Sequence, residues 1–440
     1  MAVSIIDRIN NIWTAAKNAW FGVNSPPSFL NPLYVEVGPS VEKRILKYQL
    51  FWDYYDGNHK KYLKNNDHNV TINYSAKIVD KGVSFLFGKP LKIELNDSAI
   101  TDKELYLAKV FYSEEQMHEL FIDMATTGAV CGDFFLQMWI DDSGVPHFDN
   151  LNPSLVYPKY RNNNYKDVIS YEIRWIDNDT VYRNRHERLE DDTWYSFVEY
   201  QDENQRYWIS DEELSYAWPY PFPAILHGKN LPNPKSSFGK SDIESADLND
   251  SINFVASNVN KTVNMFATPI LWGKGFDTEK FDISEFNTST DENATIQAVE
   301  IGKTVGSNTD YLNFLKGAYA ETTSVPENDP ENLRVGSTSG FALQVLLNDL
   351  LLKTGVKRSL YGSVIKEMCH RALIIGGYDG QDNTVKLYWS NPLPIDERTQ
   401  VENDRFDLES GIASLKTIRT KRGYDNTIEE ERMVEEKREL

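Results

Sequence analysis

The sequence predicts an α+β protein in which helices open the chain, an antiparallel β-meander follows, and helices close it. Apolar residues recur every three or four positions up to about residue 130 and again beyond residue 240, which is the helical period. Between residues 133 and 210 aromatic or β-branched residues instead alternate with polar ones. With 440 residues, 40% of them hydrophobic, the chain can bury more than one core.

The first half shows this change of period in detail. Amphipathic spacing predicts helices over residues 1–22, 73–88 and 102–130, and another from residue 40 to a turn at residues 56–58. The meander that follows breaks at Asp-Ser-Gly and Asp-Asn-Asp turns, which are typical of hairpins. Residues 217–239 are so rich in Pro and Gly that we expect a linker without regular structure.

The second half begins with a long helix over residues 241–268, for which Ser241 is the expected N-cap. One face of this helix is apolar, and the other carries Asn and Ser, which are mediocre helix formers, so we expect neighbouring helices to hold it. The polar face comprises Asp250, Asn253, Ser257, Asn260, Lys261 and Asn264.

Strand-like pieces and acidic loops fill residues 269–308, and a short helix is predicted over residues 309–324. After an acidic loop, residues 340–377 could form one helix of nearly forty residues with a weak point at Gly355. A charged helical tail begins near residue 394, and Thr427 and Glu430 within it have the spacing of a capping box.

The strongly negative net charge of the chain bears on whether it can bind DNA. A formal charge of −20 disfavours tight static binding of DNA, which needs clustered Lys and Arg. It does not exclude a protein that handles DNA without holding it, because like charges keep a polyanion from sticking. The two distant cysteines supply no disulfide framework, and we expect folding in the cytoplasm, with no export signal and no membrane span.

Two tripeptides imitate a phosphate-binding loop, at residues 239–241 and 302–304. That loop needs a glycine five residues before the Gly-Lys pair, and Pro234 and Gln297 stand there. The stretch GSTSG at residues 336–340 imitates a nucleophile elbow, but its centre is Thr338 and no hydrophobic strand precedes it. We interpret Thr338 or Ser339 as a helix cap.

The remaining chemical residues form no recognisable site. The histidines never pair at i and i+4, and Cys369 and His370 are adjacent on a helix and so point to different faces. Acidic pairs sit at predicted hairpin turns, where solvation is the usual role. We therefore expect no catalytic residue, no cofactor-binding residue and no metal ligand.

Several stretches, in their order and spacing, carry a likeness to a known family. They are YYDGNH at residues 54–59, NYSAKIVDKGVSFLFGKP at 73–90, GKSDIESADLNDSINFVASNV at 239–259, SVPEN and GSTSGFAL within 324–343, and ESGIASLKTIRTKRGYDNTIEEERMVEEKREL at 409–440. With them the chain resembles the portal proteins of tailed double-stranded DNA bacteriophages.

The resemblance implies a ring of subunits, typically twelve, around a channel at one capsid vertex of the virion, assembled in the host cytoplasm. It further implies a non-enzymatic conduit for DNA packaging and ejection. Its expected partners are further copies of this chain, the large terminase, the head-tail connector protein, the major capsid and scaffolding proteins, and double-stranded DNA that passes without being tightly bound.

The portal fold also implies regions for this chain. They are a wing of helices and β-meander at residues 1–240, stem helices at 241–268 and 309–324, a small α/β clip at 269–308, a tunnel loop at 325–338, a long wing helix with a following strand at 339–390, and a helical crown at 391–440. The expected residues of the tunnel loop and DNA channel are Val325, Glu327, Asn328, Asp329, Glu331, Asn332 and Arg334. The resemblance also implies that the polar Asn and Ser stripe of the first stem helix faces neighbouring subunits or the channel.

Some alternatives stay open at this point. Arg334 could touch passing phosphate or form a salt bridge to Glu327 or Glu331 of a neighbour. The whole protein could instead be a ring-forming adaptor that never passes DNA. It could also be a metal-dependent nucleotidyltransferase that uses an acidic pair such as Asp177 and Asp179.

Overall fold

The computed structural model describes most of the chain in segments. They are residues 39–59, 69–95, 102–111, 114–164, 166–177, 180–201, 207–267, 271–274, 293–298, 302–326, 344–378, 385–393 and 397–421, with the single residues 429 and 433. The chain divides into two compact units, one made of residues 1–328 and 347–390 and the other of residues 329–346 and 391–440. Mixed helix and strand confirms the predicted α+β class.

Seven helices described in the first unit are α1 (Pro39–Tyr55), α2 (Tyr74–Phe87), α3 (Asp102–Val110), α4 (Glu114–Cys131), α5 (Asp247–Ala267), α6 (Gly302–Thr323) and α7 (Asn348–Ile375). The second unit contains α8 (Glu397–Glu409) and α9 (Leu415–Lys421). No helix among the described residues is long and apolar enough to cross a membrane.

Thirteen strands are described, all in the first unit. They are β1 (Lys92–Leu95), β2 (Asp133–Ile140), β3 (Pro146–Leu151), β4 (Val156–Tyr160), β5 (Val168–Asp177), β6 (Thr180–Arg188), β7 (Trp194–Gln201), β8 (Trp208–Ser210), β9 (Tyr216–Trp218), β10 (Ile225–Lys229), β11 (Leu271–Lys274), β12 (Thr295–Ala298) and β13 (Val385–Tyr388).

The predicted meander is present as two antiparallel sheets. Strands β4 to β8 pair in chain order, with β9 added beside β7, and a three-stranded sheet has the order β10-β2-β3. One buried cluster joins strands of both sheets, because it contains Phe135 and Ile225 of the smaller sheet together with Tyr171 and Ile173 of the larger one. Two further pairs, β1 with β13 and β11 with β12, complete the strands.

A second core forms where α2, α4 and α7 meet. Asn73 caps α2 by accepting a hydrogen bond from the Ala76 N–H. At the other end of that helix the Phe87 ring contacts Phe121 of α4, at 5.2 Å between centroids, and Tyr361 of α7, at 6.0 Å. All three rings are almost fully buried, so α7 is central to the first unit.

The prediction that residues 217–239 form a linker without regular structure is wrong. It contains β9 and β10, and every residue of β10 is buried. A strand that is buried on both faces does not alternate apolar and polar residues, and this alternation is the pattern by which a strand is predicted. Gly228 is required in β10 because a Cβ there would lie 2.0 Å from the Phe134 ring.

Several helix boundaries also differ from expectation. The helix expected from residue 241 begins at Asp247, the one expected from residue 309 begins at Gly302, and the stretch 102–130 forms α3 and α4. The α7 helix passes Gly355 without a break. The predicted helix at residues 1–22, the caps at Thr338 and Ser339, and the capping box at Thr427 and Glu430 lie outside the described residues.

Candidate functional site: a helix pair and the junction that anchors it

Helices α5 and α6 pack against each other and form the helix pair. Ile252 and Val255 of α5 and Leu315 and Tyr319 of α6 are buried. The Tyr319 hydroxyl lies 3.1 Å from the Ser75 Oγ of α2, and burial raises the pKa of Tyr319 to about 12. The pair is therefore fixed to the body of the first unit by polar as well as apolar contacts.

A ladder of side-chain hydrogen bonds runs along one face of α5. Side chains spaced four residues apart on the helix accept hydrogen bonds from backbone N–H groups spaced two residues apart in the extended segment 69–73 and at the start of α2. The spacings match, since four helical residues rise about 6.0 Å and two extended residues about 6.6 Å. The bonds are Tyr74 N to Asn249 Oδ1 at 3.0 Å, Ile72 N to Asn253 Oδ1 at 2.8 Å, and Val70 N to Ser257 Oγ at 2.9 Å.

This ladder explains why a helix so rich in Asn and Ser forms at all. The side chains satisfy backbone groups that would otherwise be buried without partners, and Asn249 also donates from Nδ2 to the Ile72 carbonyl at 3.0 Å. Asn249 was missed in the sequence, although it precedes Asn253 by the same four-residue step.

The polar face predicted for this helix therefore divides into two parts. Asn253 and Ser257 are buried within the subunit, so the expectation that the whole stripe faces the channel or a neighbour is wrong for them. Asp250 is half-buried and accepts a 2.5 Å hydrogen bond from the Tyr54 hydroxyl, and burial raises the pKa of Asp250. The outer part comprises Asn260, Lys261 and Asn264, of which the last two are exposed.

The helix pair also exposes large apolar side chains to solvent. Phe254 is 59% exposed, and on α6 Tyr311 and Phe314 are 52% and 66% exposed. The rings of Tyr311 and Phe314 stack with their centroids 6.2 Å apart. Such a concentration of exposed aromatic surface is typical of a protein contact.

The chain enters the helix pair through residues 230–243, which we name the anchor segment. Its backbone and side chains bond to the C-terminal end of α4, through Asp242 N and Ser241 Oγ to the Ala129 carbonyl at 2.8 and 2.9 Å and through Asn230 N to the Gly132 carbonyl at 2.9 Å. The approach is very close, since a Cβ on Gly239 would lie 2.2 Å from the Gly132 oxygen. Glycine is required there for steric reasons.

A buried carboxylate at Asp133 holds the middle of the anchor segment. It accepts hydrogen bonds from Gly239 N at 2.8 Å, from the Tyr48 hydroxyl at 2.7 Å and from His227 Nε2 at 2.8 Å. Burial lowers the pKa of His227, so the ring is neutral, and its Nδ1 accepts from the Tyr160 hydroxyl at 2.6 Å. This Asp–His pair is buried and holds Gly239, Tyr48 and Tyr160 in place.

A second buried carboxylate, Asp242, ends the anchor segment. The Lys357 ammonium of α7 bonds to its Oδ2, and Lys353 Nζ lies 3.1 Å from its Oδ1. Burial alone would raise the pKa of Asp242, but Lys357 and Lys353 outweigh that effect and its pKa is lowered. Lys353 also donates to the Thr323 carbonyl at the end of α6, at 2.9 Å. Helix α7 thus binds the segment before α5 and the end of α6 through one buried network.

The chain leaves the helix pair at Val325, the first of the predicted tunnel-loop residues. Val325 is buried, and its N–H donates to the Ala320 carbonyl at 3.1 Å, so it belongs to the end of α6. The other predicted residues of that loop lie outside the described residues, namely Glu327, Asn328, Asp329, Glu331, Asn332 and Arg334.

Among the described residues, no group of three or more His, Cys, Asp or Glu could hold a metal ion. Of the acidic pair considered for a nucleotidyltransferase, Asp177 ends β5 and Asp179 lies outside the described residues. The buried carboxylates Asp133 and Asp242 hold the anchor segment and the neighbouring helices in place.

The fold combines an antiparallel meander with a packed helix pair, and comparison with known proteins gives the family of the chain. The family described as "Phage portal protein, SPP1 Gp6-like" matches residues 40–440, and the chain belongs to this family. The family is structural rather than catalytic, and membership places the chain in a homo-oligomeric ring at the capsid vertex of a phage particle.

The other two comparisons add less. No curated protein matches the chain. One similar solved structure is described as "Neck of native GTA particle computed with C12 symmetry"; it is 12% identical, with a TM-score of 0.43, over 94% of this chain and 99% of that one.

Proposed function

We propose that copies of this chain form a ring whose axial channel passes double-stranded DNA during packaging and ejection. Terminase docks on the ring during packaging, and head-tail connector proteins replace it afterwards. The observation that carries this proposal is the helix pair, which is bonded to the body of the first unit and still exposes Phe254, Tyr311 and Phe314. A neighbouring copy in the ring covers such a surface.

We assign the predicted regions to the observed elements. Helices α5 and α6 correspond to the two stem helices, and the β11–β12 hairpin between them, antiparallel with Leu271 opposite Ala298, to the clip. Helix α7 and β13 correspond to the long wing helix with its following strand, and α8 and α9 to the crown. The clip is the region we assign to terminase and connector docking.

Charge supports a channel in which DNA slides. The chain carries 66 acidic and 46 basic residues, and the loop at residues 327–334 contains three carboxylates and one arginine. A surface of this kind does not displace the counterions that give tight protein–DNA binding. Lys261 and Asn264, exposed on α5, are candidates to face the channel or a neighbour.

A loop deletion tests the conduit. Removing residues 328–334 spares the buried Val325, so rings should form normally in phage whose own portal gene is inactive, while nuclease-protected DNA in the capsids should fall at least about tenfold. A matched control replaces Glu190 and Asp192, at the exposed β6–β7 turn, with Gln and Asn. Normal packaging by the deletion variant would refute the tunnel-loop assignment, and equal loss in both variants would refute a specific role for the loop.

A further inference from the structure

The helix pair is buried over only part of its length. Buried residues of α5 extend as far as Ser257, and residues 258–264 include none. On α6 the first buried residue that the structure describes is Leu315, and residues 308–314 include none. We call residues 247–257 and 315–323 the inner halves of the two helices, and residues 258–267 and 302–314 the outer halves.

The body of the first unit holds the inner halves. The hydrogen-bond ladder of α5 reaches Ser257, which accepts from the Val70 N–H at 2.9 Å. On α6 the buried residues Leu315, Tyr319 and Thr323 recur every four positions and so form one face. The inner halves are therefore stabilised by contacts within a single subunit.

The outer halves have no buried face among these described residues, and their sequences do not favour helix. Six of the ten residues at 258–267 are Asn, Val or Thr, and residues 302–314 include two glycines. Large apolar side chains at Val263, Tyr311 and Phe314 are exposed. Most helices in proteins are stabilised by packing of an apolar face, so the outer halves need contacts from outside the subunit.

A second copy of the chain is the partner that fits this surface. Membership of the family places the chain in a homo-oligomeric ring, and each subunit of a ring meets one neighbour on either side. The outer halves expose apolar side chains on both helices, Val263 on α5 and Tyr311 with Phe314 on α6. Both helices of the pair thus offer a contact to neighbouring copies.

We propose that neighbouring copies supply the packing that the outer halves lack, so that these halves hold a stable helical conformation only in the ring. This inference rests on the ring of the proposed function. In a free subunit the inner halves stay folded while the outer halves open readily. Ordering the outer halves on assembly costs conformational entropy, which the apolar surface buried between copies offsets.

Hydrogen exchange of the full-length protein, read by mass spectrometry, tests the inference on rings and on free subunits. Free subunits are obtained by dilution, verified by mass photometry, and from Phe254→Glu, which places a charge on the exposed face without altering either outer half. Amides of the outer halves should exchange at least about tenfold faster in free subunits than in rings. Amides of the inner halves should exchange alike in both, which also shows that Phe254→Glu folds.

Two glycines of α6 provide a matched pair of variants. A Cβ added at Gly306, in the outer half, or at Gly317, in the inner half, would have no atom within 4 Å to contact. Gly306→Ala strengthens the helix, so it should slow exchange in the outer half of α6 in free subunits about fivefold. Because it prepares the helix for assembly, rings should also form at lower protein concentration. Gly317→Ala, the control, should change neither quantity.

The outcomes separate this inference from the proposed function. Equally slow exchange of the outer halves in rings and free subunits would overturn the inference and leave the ring intact. Equal effects of Gly306→Ala and Gly317→Ala would overturn it too, as would rings that persist both on dilution and in Phe254→Glu. If the unaltered protein formed no rings at any concentration, the proposed function would fail and the inference with it.

Discussion

Replacing Asp242 by Asn should loosen the attachment of both helices of the pair to α7. The substitution keeps the shape of the side chain but removes the charge between Lys353 and Lys357. The Lys357 side chain is only 3% exposed, so its ammonium would stay in the interior without a counter-charge. Breaking a buried ion pair on one side costs about 3–5 kcal/mol.

The size of the effect on melting follows from the size of the first unit. At about 2.1 cal/mol/K per residue, the unfolding entropy of this unit is about 0.8 kcal/mol/K, so a loss of 4 kcal/mol lowers its melting temperature by about 5 °C. Lys357→Met should cost less, because Asp242 keeps Lys353 at 3.1 Å. The double variant should lose less than the sum of the two single losses, since it lacks the buried Lys357 ammonium that Asp242→Asn alone leaves without a counter-charge.

Differential scanning fluorimetry gives the melting shifts, and hydrogen exchange tells where the structure loosens. Exchange should rise in the anchor segment and at the end of α6, where Lys353 bonds the Thr323 carbonyl. Lys366→Met, at an exposed lysine of the same helix, is the control and should shift melting by less than about 1 °C. If Asp242→Asn behaved like that control, the buried network would not be what holds the helix pair.

Three further predictions concern buried groups. Asn253→Ala should cost about 1–3 kcal/mol, because the Ile72 N–H loses its acceptor, and amide exchange at Ile72 should accelerate selectively. Burial, and after it the Arg371 charge, lowers the pKa of His186 to about 3, so between pH 6.5 and pH 4.5 only the unfolded state binds a proton at this residue. That proton lowers the free energy of unfolding by about 1.4 kcal/mol per pH unit as the pH falls. His186→Gln removes this contribution, so the stability of the variant should fall less steeply over the same range. Cys131 and Cys369 should resist thiol reagents until the protein unfolds, because burial raises the pKa of both thiols.

Each of these predictions has a control and a contrary outcome. Asn258→Ala, at an exposed residue of α5, should leave exchange at Ile72 unchanged. An unaltered slope of stability against pH in His186→Gln, equal to that of the half-buried His370→Gln, would show that His186 does not titrate as described. Rapid labelling of either cysteine in the folded ring would contradict its burial.

Periodicity predicted several elements that have one buried face and failed for two that leave no local pattern. Helix α2 was predicted, as were strands such as β7, in which buried and partly buried residues alternate. The strand β10 is buried on both faces, and the β1–β13 pair joins residues almost three hundred positions apart, so neither leaves a local pattern. Helix α5 was predicted from its apolar residues, but the role of its polar face depends on a distant segment of the chain.

The buried network around the anchor segment could not be predicted either, because its residues leave no local pattern. Asp133, Asp242 and Lys357 are charged residues in ordinary sequence surroundings, and charged residues are mostly exposed. Only the fold reveals that they are buried, with Asp242 paired to Lys357 and Asp133 bonded to His227. By contrast, the family likeness could be recognised from stretches of sequence, and the match over residues 40–440 confirms it.

The most direct test of the account is electron microscopy of the purified protein, with Phe314→Glu beside it. The proposed conduit predicts rings with a central hole wide enough for duplex DNA, about 20 Å, since that is the cargo. Phe314→Glu puts a charge on the exposed face of α6 and should yield folded subunits that no longer close into rings. Monomers or dimers of the unaltered protein at several salt concentrations, or rings with no open channel, would contradict the proposal.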